Sequence, residues 1–434
     1  MIHNRLRASI GLSFALFLSL SAPGVVFAQA PVITLDDAVR QALANNREVA
    51  LAAREVDKAA HQIEAMRTNK LPRLNLSFVD PLIFTDLELR LGSLGTLALP
   101  HNFAFVIGSA AQPLTQLRDI GLGIRASELG RDIAAERLRA ARQTVVDEVK
   151  RAYYGCLRAE SGLKPSREAV TLFNEIERVV ADQVGERAAL ESDRLEVQAR
   201  RAQQEHELLV LENSLQTCRE RLNVALAREP EAPMAFQPMT GTLPDEADLA
   251  AARTRLLEQK PEVRQARIGV DLARTDVELK KLERVPKVSA LFGYVGSINM
   301  PLLPGSIASA VLSVSWEPFD WGRKSRELAV RELAVGQAEL QLKQVESSVT
   351  VELNARARAL RESRSLVAAT ELAERAARER VRVMIDRHTE NAVLTKDLLQ
   401  AQVALTEANF KYQAALLAYW EARAGFEKAA GGDQ

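Results

Sequence analysis

Two hydrophobic periods alternate along this chain. The first is helical. Leu328, Val335, Leu342 and Val349 recur every seven residues, and after a four-residue stutter Leu353, Leu360 and Val367 continue the series. Residues 337–424 contain neither Gly nor Pro, 88 residues in all. As one straight helix they would span about 130 Å at roughly 1.5 Å per residue, so the pattern predicts a long antiparallel hairpin. Its return helix carries two seven-residue series, Val403/Phe410/Leu417/Ala424 and Leu405/Tyr412/Tyr419/Phe426. An offset of two residues sets these stripes about 200° apart. A two-stranded coiled coil needs one seam, whereas two opposed seams predict a neighbour on each side, as in a closed ring of helices.

The second period is two. Ala308, Ala310, Leu312, Val314 and Trp316 alternate with Ser309, Val311, Ser313 and Ser315, and Leu74, Leu76 and Phe78 alternate with Asn75 and Ser77. One face is apolar and the other largely hydroxyl-bearing, the pattern of a strand between lipid and a wet lumen. Residues 91–117 and 288–316 contain no Asp, Glu, Lys or Arg. A sheet covering a soluble core rarely lacks charge over such lengths, loops included. Trp316, Phe319 and Trp321 gather at the end of the last strand, where an interfacial aromatic girdle belongs.

Both patterns occur twice. Glu48-Val49, Val56, Ala59, Ile63, Leu71-Pro72 and Phe78 recur 214 residues later as Glu262-Val263, Val270, Ala273, Val277, Val285-Pro286 and Phe292. Farther on the offset is 204: Leu190, Asp193, Leu195 and Gln198 correspond to Leu394, Asp397, Leu399 and Gln402. The difference falls between Phe78 and Glu148, where the first copy carries a longer loop, Asp80 to Asn102. The expected organisation is a first repeat over 29–229 (helix, two membrane strands, long helical hairpin), a Pro-rich linker over 230–246, a second repeat of the same order over 247–428, and a tail over 429–434. Residues 1–28 precede the first repeat. Arg5 and Arg7, the apolar run Ala8 to Ser21, and Val26-Phe27-Ala28 read as a secretory signal peptide, the run being short for a membrane anchor.

Two hairpins give four membrane strands, too few to close a barrel, and an open edge in lipid leaves backbone groups unsatisfied. The barrel is therefore expected to be shared. Two chains would supply eight strands around an interior filled by side chains. Three supply twelve, the smallest multiple of four that leaves an aqueous passage. The predicted fold is mainly helical with membrane β: a trimeric, shared 12-stranded barrel continued by a long α-helical barrel. Composition adds exclusions. The 434 residues carry 57 basic and 57 acidic side chains, which argues against a nucleic-acid partner held through phosphates. After removal of residues 1–28 the balance is 55 against 57, a charge of −2.

These features resemble the TolC family of outer-membrane efflux proteins. Ile33-Thr34-Leu35-Asp36-Asp37-Ala38-Val39-Arg40-Gln41-Ala42-Leu43-Ala44-Asn45-Asn46 is similar to that family's first helix, with Thr34 placed to cap it and Asp37 to meet its dipole. Leu71-Pro72 and Val285-Pro286 resemble entries to its strands, and Trp316-Glu317-Pro318-Phe319-Asp320-Trp321-Gly322-Arg323 resembles its strand-to-helix exit. Residues 190–197 and 397–401 look like its hairpin tips. The resemblance implies a homotrimeric passive duct in the outer membrane of a Gram-negative bacterium, with a large periplasmic part. It implies a periplasmic adaptor and an inner-membrane pump as partners, in tripartite efflux or type I secretion, with the tips closing the aperture until engaged. In such a duct each lumen-facing charge repeats as a ring, which binds cations. Ser192, Asp193, Glu196 and Asp397 are the candidate aperture residues; the plainer reading makes them solvated cap or surface residues. Two departures stand out. The glycine often found six residues before the tip aspartate is Arg187 in one copy and Asn391 in the other, and Gly162 with Pro165 predicts a kink or unwinding in the first long helix.

Cys156 and Cys218 each lie 31 residues from position 187. A hairpin turning at Gly185-Glu186-Arg187 would bring them level, either as a disulfide or as two small core residues. The five histidines, His3, His61, His101, His206 and His388, stand in no metal or nucleophile motif, and no phosphate-binding loop is present. No cofactor, metal site or catalytic residue is expected, and the energy for transport falls to a partner. The rival reading is a periplasmic coiled-coil adaptor, which would join one hairpin to lipoyl-like and small barrel domains.

Overall fold

The computed structural model describes residues 32–85, 88–90, 96–98, 102–187, 190–237, 243–244, 248–300, 304–389 and 395–432. The signal-peptide reading of 1–28 lies outside them, as do parts of the linker and tail. Eight helices are described: α1 (Leu35–Asn45), α2 (Arg47–Arg67), α3 (Leu117–Gly185), α4 (Glu191–Ala225), α5 (Leu249–Gln259), α6 (Pro261–Leu282), α7 (Arg323–Thr389) and α8 (Thr395–Ala429). The strands are β1 (Val32–Ile33), β2 (Arg73–Val79), β3 (Glu88–Arg90), β4 (Thr96–Ala98), β5 (Ala104–Pro113), β6 (Ala235–Phe236), β7 (Lys287–Ile298) and β8 (Ser306–Ser315). The order two helices, sheet strands, two long helices therefore occurs twice.

Local chemistry sets the helix ends. Thr34 accepts the Asp37 N–H at 3.1 Å, and its own hydroxyl donates to the Asp37 carboxylate at 2.7 Å. Those bonds, with Arg40, hold the Asp37 carboxyl below its ordinary range. Asn46 breaks α1 from α2 and caps α2 by accepting from Glu48 N–H. Lys260 makes the equivalent break between α5 and α6, with Pro261 preorganising the first turn. Backbone angles at the two breaks nearly coincide, φ −62° and ψ 133° against φ −64° and ψ 128°. The Asn46 amide donates to the Ala225 carbonyl at the end of α4, and the Lys260 ammonium donates to the Ala429 carbonyl at the end of α8. These pairs stand 214 and 204 residues apart in sequence, the two offsets of the internal comparison.

At 69 residues α3 is about 100 Å long. It stays helical through Pro165, so the expected unwinding there does not occur. Near the sheet α3 packs between α2 and α6, and farther out between α4 and α8, while α8 packs on α7. Both seams of α8 are filled. Leu417 and Ala424 join the core made by Val149, Tyr153 and Cys156 of α3, while Tyr419 and Phe426 meet Val367, Val349 and Leu353 of α7. The stretch read as linker contributes β6, which pairs in parallel with β1. Phe236 and Met234 are buried there, and the Tyr153 hydroxyl donates to Ile33 O at 3.0 Å and accepts from Gln237 N at 3.2 Å.

Cys156 and Cys218 are joined by a disulfide, with Cα atoms 5.5 Å apart. The hairpin turns at Glu186-Arg187, where Arg187 takes a left-handed φ of 61°. Beside the cystine, Arg219 reaches Glu160 and Arg158 reaches Glu421, each at 3.7 Å. Burial pushes both carboxyls above their usual range, against the pull of Arg158 and Arg151 on Glu421 and of Arg219 on Glu160.

Two outcomes follow. A cross-link spanning 62 residues removes about 4 kcal/mol of chain entropy from the unfolded state. Replacing both cysteines with alanine should lower the unfolding free energy by up to that amount in denaturant titrations, and reductant should do the same to the parent protein. The raised Glu160 and Glu421 bind protons more tightly folded than unfolded. Their contribution is therefore full below the ordinary carboxylate pKa and is lost as pH rises through the raised values. Unfolding midpoints measured across pH should fall less steeply toward neutrality in Glu421→Gln; an identical slope would place the effect elsewhere.

Candidate functional site

The four long strands form one antiparallel sheet in the order β2-β5-β7-β8. Its register assigns every side chain to a face. Leu76 pairs with Gly108, Gly108 with Tyr294, and Tyr294 with Ala308; Leu74, Ala110, Phe292 and Ala310 form the next row. Adding Phe78, Val106, Ala290, Leu312, Val288 and Val314 gives a largely apolar face across all four strands, with Gln112 and Ser306 as its polar members. Asn75, Ser77, Ser109, Ser289, Ser309 and Ser313 punctuate the opposite face. The apolar face is open: Leu74 and Leu76 are 78% and 80% exposed, and Phe78, Phe292, Leu312 and Val314 are exposed as well. β5, β7 and β8 have 10, 12 and 10 residues, against the roughly 9–11 that a transmembrane strand requires.

Within the four strands only Arg73 and Lys287 are charged. Arg73 pairs with Ala111 and Lys287 with Ser315, so both cations lie at the end that leads into the helices, while Asp80 follows β2 at the other end. Trp316, Phe319 and Trp321 lie at that same end, all exposed, with the Phe319 and Trp321 rings edge to face at 5.2 Å. Trp321 and Gly322 both adopt positive φ, 52° and 84°. That double turn lets Asp320 accept from the N–H groups of Gly322 and Lys324 and start α7, and the bond from Lys324 leads in lowering the Asp320 carboxyl. β2 and β8 are the sheet's two edges, each with a row of unpaired backbone groups.

The opposite end of the molecule is the pair of hairpin tips. Ser192, Asp193 and Glu196 lie on the first turns of α4, and Asp397 on the first turn of α8, all exposed. The Asp193 carboxylate accepts from Leu190 N–H at 3.2 Å, the geometry of a helix-end cap. Glu196 is held by Arg200 at 2.6 Å, and Glu191 by Arg194 at 2.8 Å. Ser192 and Asp397 face solvent. Residues 188–189 and 390–394, Asn391 included, lie outside the described residues. The cystine is remote from the tips. Among the described residues, no cluster of His, Cys, Asp and Glu could hold a metal ion, and no helix is long and apolar enough to cross a membrane.

One feature escaped the sequence patterns. The flanking helices α4 and α7 each carry a second, exposed apolar row: Leu195, Leu209 and Val224 on α4, and Leu333, Leu340, Val351 and Leu366 on α7. The signal was present in the spacing of seven between Leu333 and Leu340 and of fourteen between Leu195 and Leu209. Glu and Arg between them masked it.

Residues 252–432 match the family model of outer membrane efflux proteins. No curated protein matches the chain in sequence. Solved structures match it nearly end to end. The Campylobacter jejuni CmeC outer membrane channel is 15% identical with a TM-score of 0.77, over 98% of this chain and 94% of that one. The outer membrane protein VceC of Vibrio cholerae is 15% identical with a TM-score of 0.75, over 92% and 96%. The open state of the Neisseria gonorrhoeae MtrE outer membrane channel is 18% identical with a TM-score of 0.73, over 92% and 89%. This chain has the fold of solved outer membrane channels, and its residues 252–432 match the family of outer membrane efflux proteins.

Proposed function

We propose that the chain is one third of a passive export duct, a homotrimer set in the outer membrane of a Gram-negative bacterium. Its helices reach through the periplasm toward an adaptor and an energised inner-membrane pump. The observation that carries this reading is the open sheet: four strands, one largely apolar face, only two charged residues within the strands, and two unpaired edges. In lipid each unpaired backbone group costs several kcal/mol, so the edges must be joined. β2 runs with β7, and β5 with β8, because successive neighbours are antiparallel. β8 of one protomer and β2 of the next then meet antiparallel, and three protomers close twelve strands.

The helices support the same count. Across one protomer the far helices run α4-α3-α8-α7, so the exposed apolar rows of α4 and α7 lie on its two flanks and meet those of neighbouring protomers. Trp316, Phe319 and Trp321 then sit at the periplasmic membrane interface, against outer-membrane lipid. The unit is duplicated, 29–229 and 247–428, joined through 230–246. The matched breaks at Asn46 and Lys260, each capping the end of its own return helix, favour that duplication. Ser192, Asp193, Glu196 and Asp397 line the periplasmic aperture, with Asp193 and Asp397 repeated as rings around the threefold axis. A periplasmic adaptor is the less favoured reading, since the chain has two hairpins, a four-stranded apolar sheet and an efflux-channel domain.

Membrane fractionation with chemical cross-linking tests the assembly: dimer and trimer bands in the outer-membrane fraction are expected, and a soluble periplasmic monomer would sink the proposal. In planar bilayers, Asp193→Ala with Asp397→Ala should raise closed-state conductance. The Mg²⁺ concentration needed for block should also rise about tenfold, equivalent to about 1.4 kcal/mol of lost binding. Unchanged conductance and block would remove these residues from the aperture.

A further inference from the structure

The two long hairpins differ in one region. α7 has no Gly or Pro from residue 337 to its end, whereas α3 carries Gly162 and Pro165 near its middle. At Gly162 side chains of two other helices crowd the backbone. A Cβ there would lie 2.7 Å from the Phe410 ring of α8 and 3.2 Å from the Leu211 side chain of α4. Any larger residue would displace Phe410. Three residues on, Pro165 has no N–H to donate to the Ser161 carbonyl, and its ring presses on that turn, so the helix is weakest there. Just beyond opens a cavity of about 590 Å³ between Pro165, Ala169 and Phe173 of α3, Gln203 of α4, and Val403 and Thr406 of α8. Close packing is thus absent beside Pro165, where α3 faces α4 and α8.

The surroundings divide the hairpin into two bodies. On the sheet side the Cys156–Cys218 bond ties α3 to α4, and Arg158–Glu421 and Lys150–Glu427 tie α3 to α8. On the tip side α3 and α4 are stitched to each other: Arg167 to Glu212 at 2.9 Å, and Glu177 to both Gln198 and Arg201 at 2.8 Å.

We infer that the first hairpin contains a built-in pivot. Its distal arm, residues 166–187 and 190–212, swings as a unit about Gly162–Pro165, with Phe410 of α8 as the fulcrum, while the disulfide holds the base of the same hairpin shut. The second hairpin has no Gly or Pro at the corresponding level. The pivot stands on the packing alone; its role in opening the tips rests on the duct reading above.

Hydrogen exchange on the full-length protein in detergent separates the two. Amides of residues 166–169 should exchange about tenfold or more faster than those of 370–373, their counterparts on α7, and Pro165→Ala should abolish most of that difference. With the disulfide intact, the fast segment should stop short of residue 156. Equal protection of the two helices would overturn the pivot whatever the protein conducts. In planar bilayers the parent protein should show discrete openings, and Pro165→Ala, a change that favours helix, should make them about tenfold rarer at unchanged trimer yield. A parent protein that never conducts defeats the duct reading and leaves the exchange result standing. Parent and variant opening equally often would overturn the pivot's part in gating.

Discussion

An open sheet in an apolar medium cannot satisfy its own edges, and the rest of this structure follows from that constraint. In water the unpaired groups of β2 and β8 would be hydrated; against lipid they have no partner but another strand. Leu74, Leu76, Phe78, Phe292 and Leu312 share one exposed face, which in the proposed duct meets lipid. Glycine at 108, paired on one side with Leu76 and on the other with Tyr294, makes room in that row for the larger neighbours. Closure by further copies joins edges that four strands leave open. It also sets the helix count, since each protomer must bring as much circumference in helix as it brings in sheet.

The helical part meets that demand with one repeated device. Each return helix ends against the break between two shorter helices, and a polar side chain from the break takes the last free carbonyl. Asn46 does this for α4 and Lys260 for α8. The two side chains differ in charge and length but answer the same deficit, since a helix C-terminus buried beside its neighbours needs a donor. Lys260 is almost wholly buried and lies 3.6 Å from Glu352, which balances the charge that Asn46 does not carry.

Much of this architecture was legible in the sequence because it is periodic. The seven-residue series on α8 predicted partners on two sides, and the structure fills both. The alternation in β8 marked its faces, and a turn at Gly185-Glu186-Arg187 would bring Cys156 and Cys218 level, as their disulfide requires. The sequence was silent where one strong interaction overrides propensity. Pro165 suggested unwinding, yet α3 continues, because the helix is held on both sides by α4 and α8. The Pro-rich stretch before α5 concealed a short strand, which exists through its pairing with β1 and the hydroxyl of Tyr153. At the tips, types and spacing named Asp193 and Asp397 but not their geometry. Asp193 is engaged with the backbone of its own first turn, a contact that depends on the unpatterned Leu190.

In the proposed threefold assembly a duplicated chain would offer six similar parts, yet the two hairpins differ. The first carries a cystine, a buried glycine and a proline within ten residues of α3, while the second has an unbroken run. A covalent link near the base and a weakened turn just above it act in opposite directions. Their closeness concentrates compliance in a short segment instead of spreading it along about 100 Å of helix. The charge pattern is arranged in keeping with this. The sheet carries almost none, and the helices hold nearly all of it in local pairs. Most of those pairs are exposed and weak individually. The buried contacts between hairpins that join Val149, Tyr153 and Cys156 to Leu417 and Ala424 sit on the sheet side of Gly162. In the proposed duct, rigidity is therefore invested toward the sheet and compliance toward the tips.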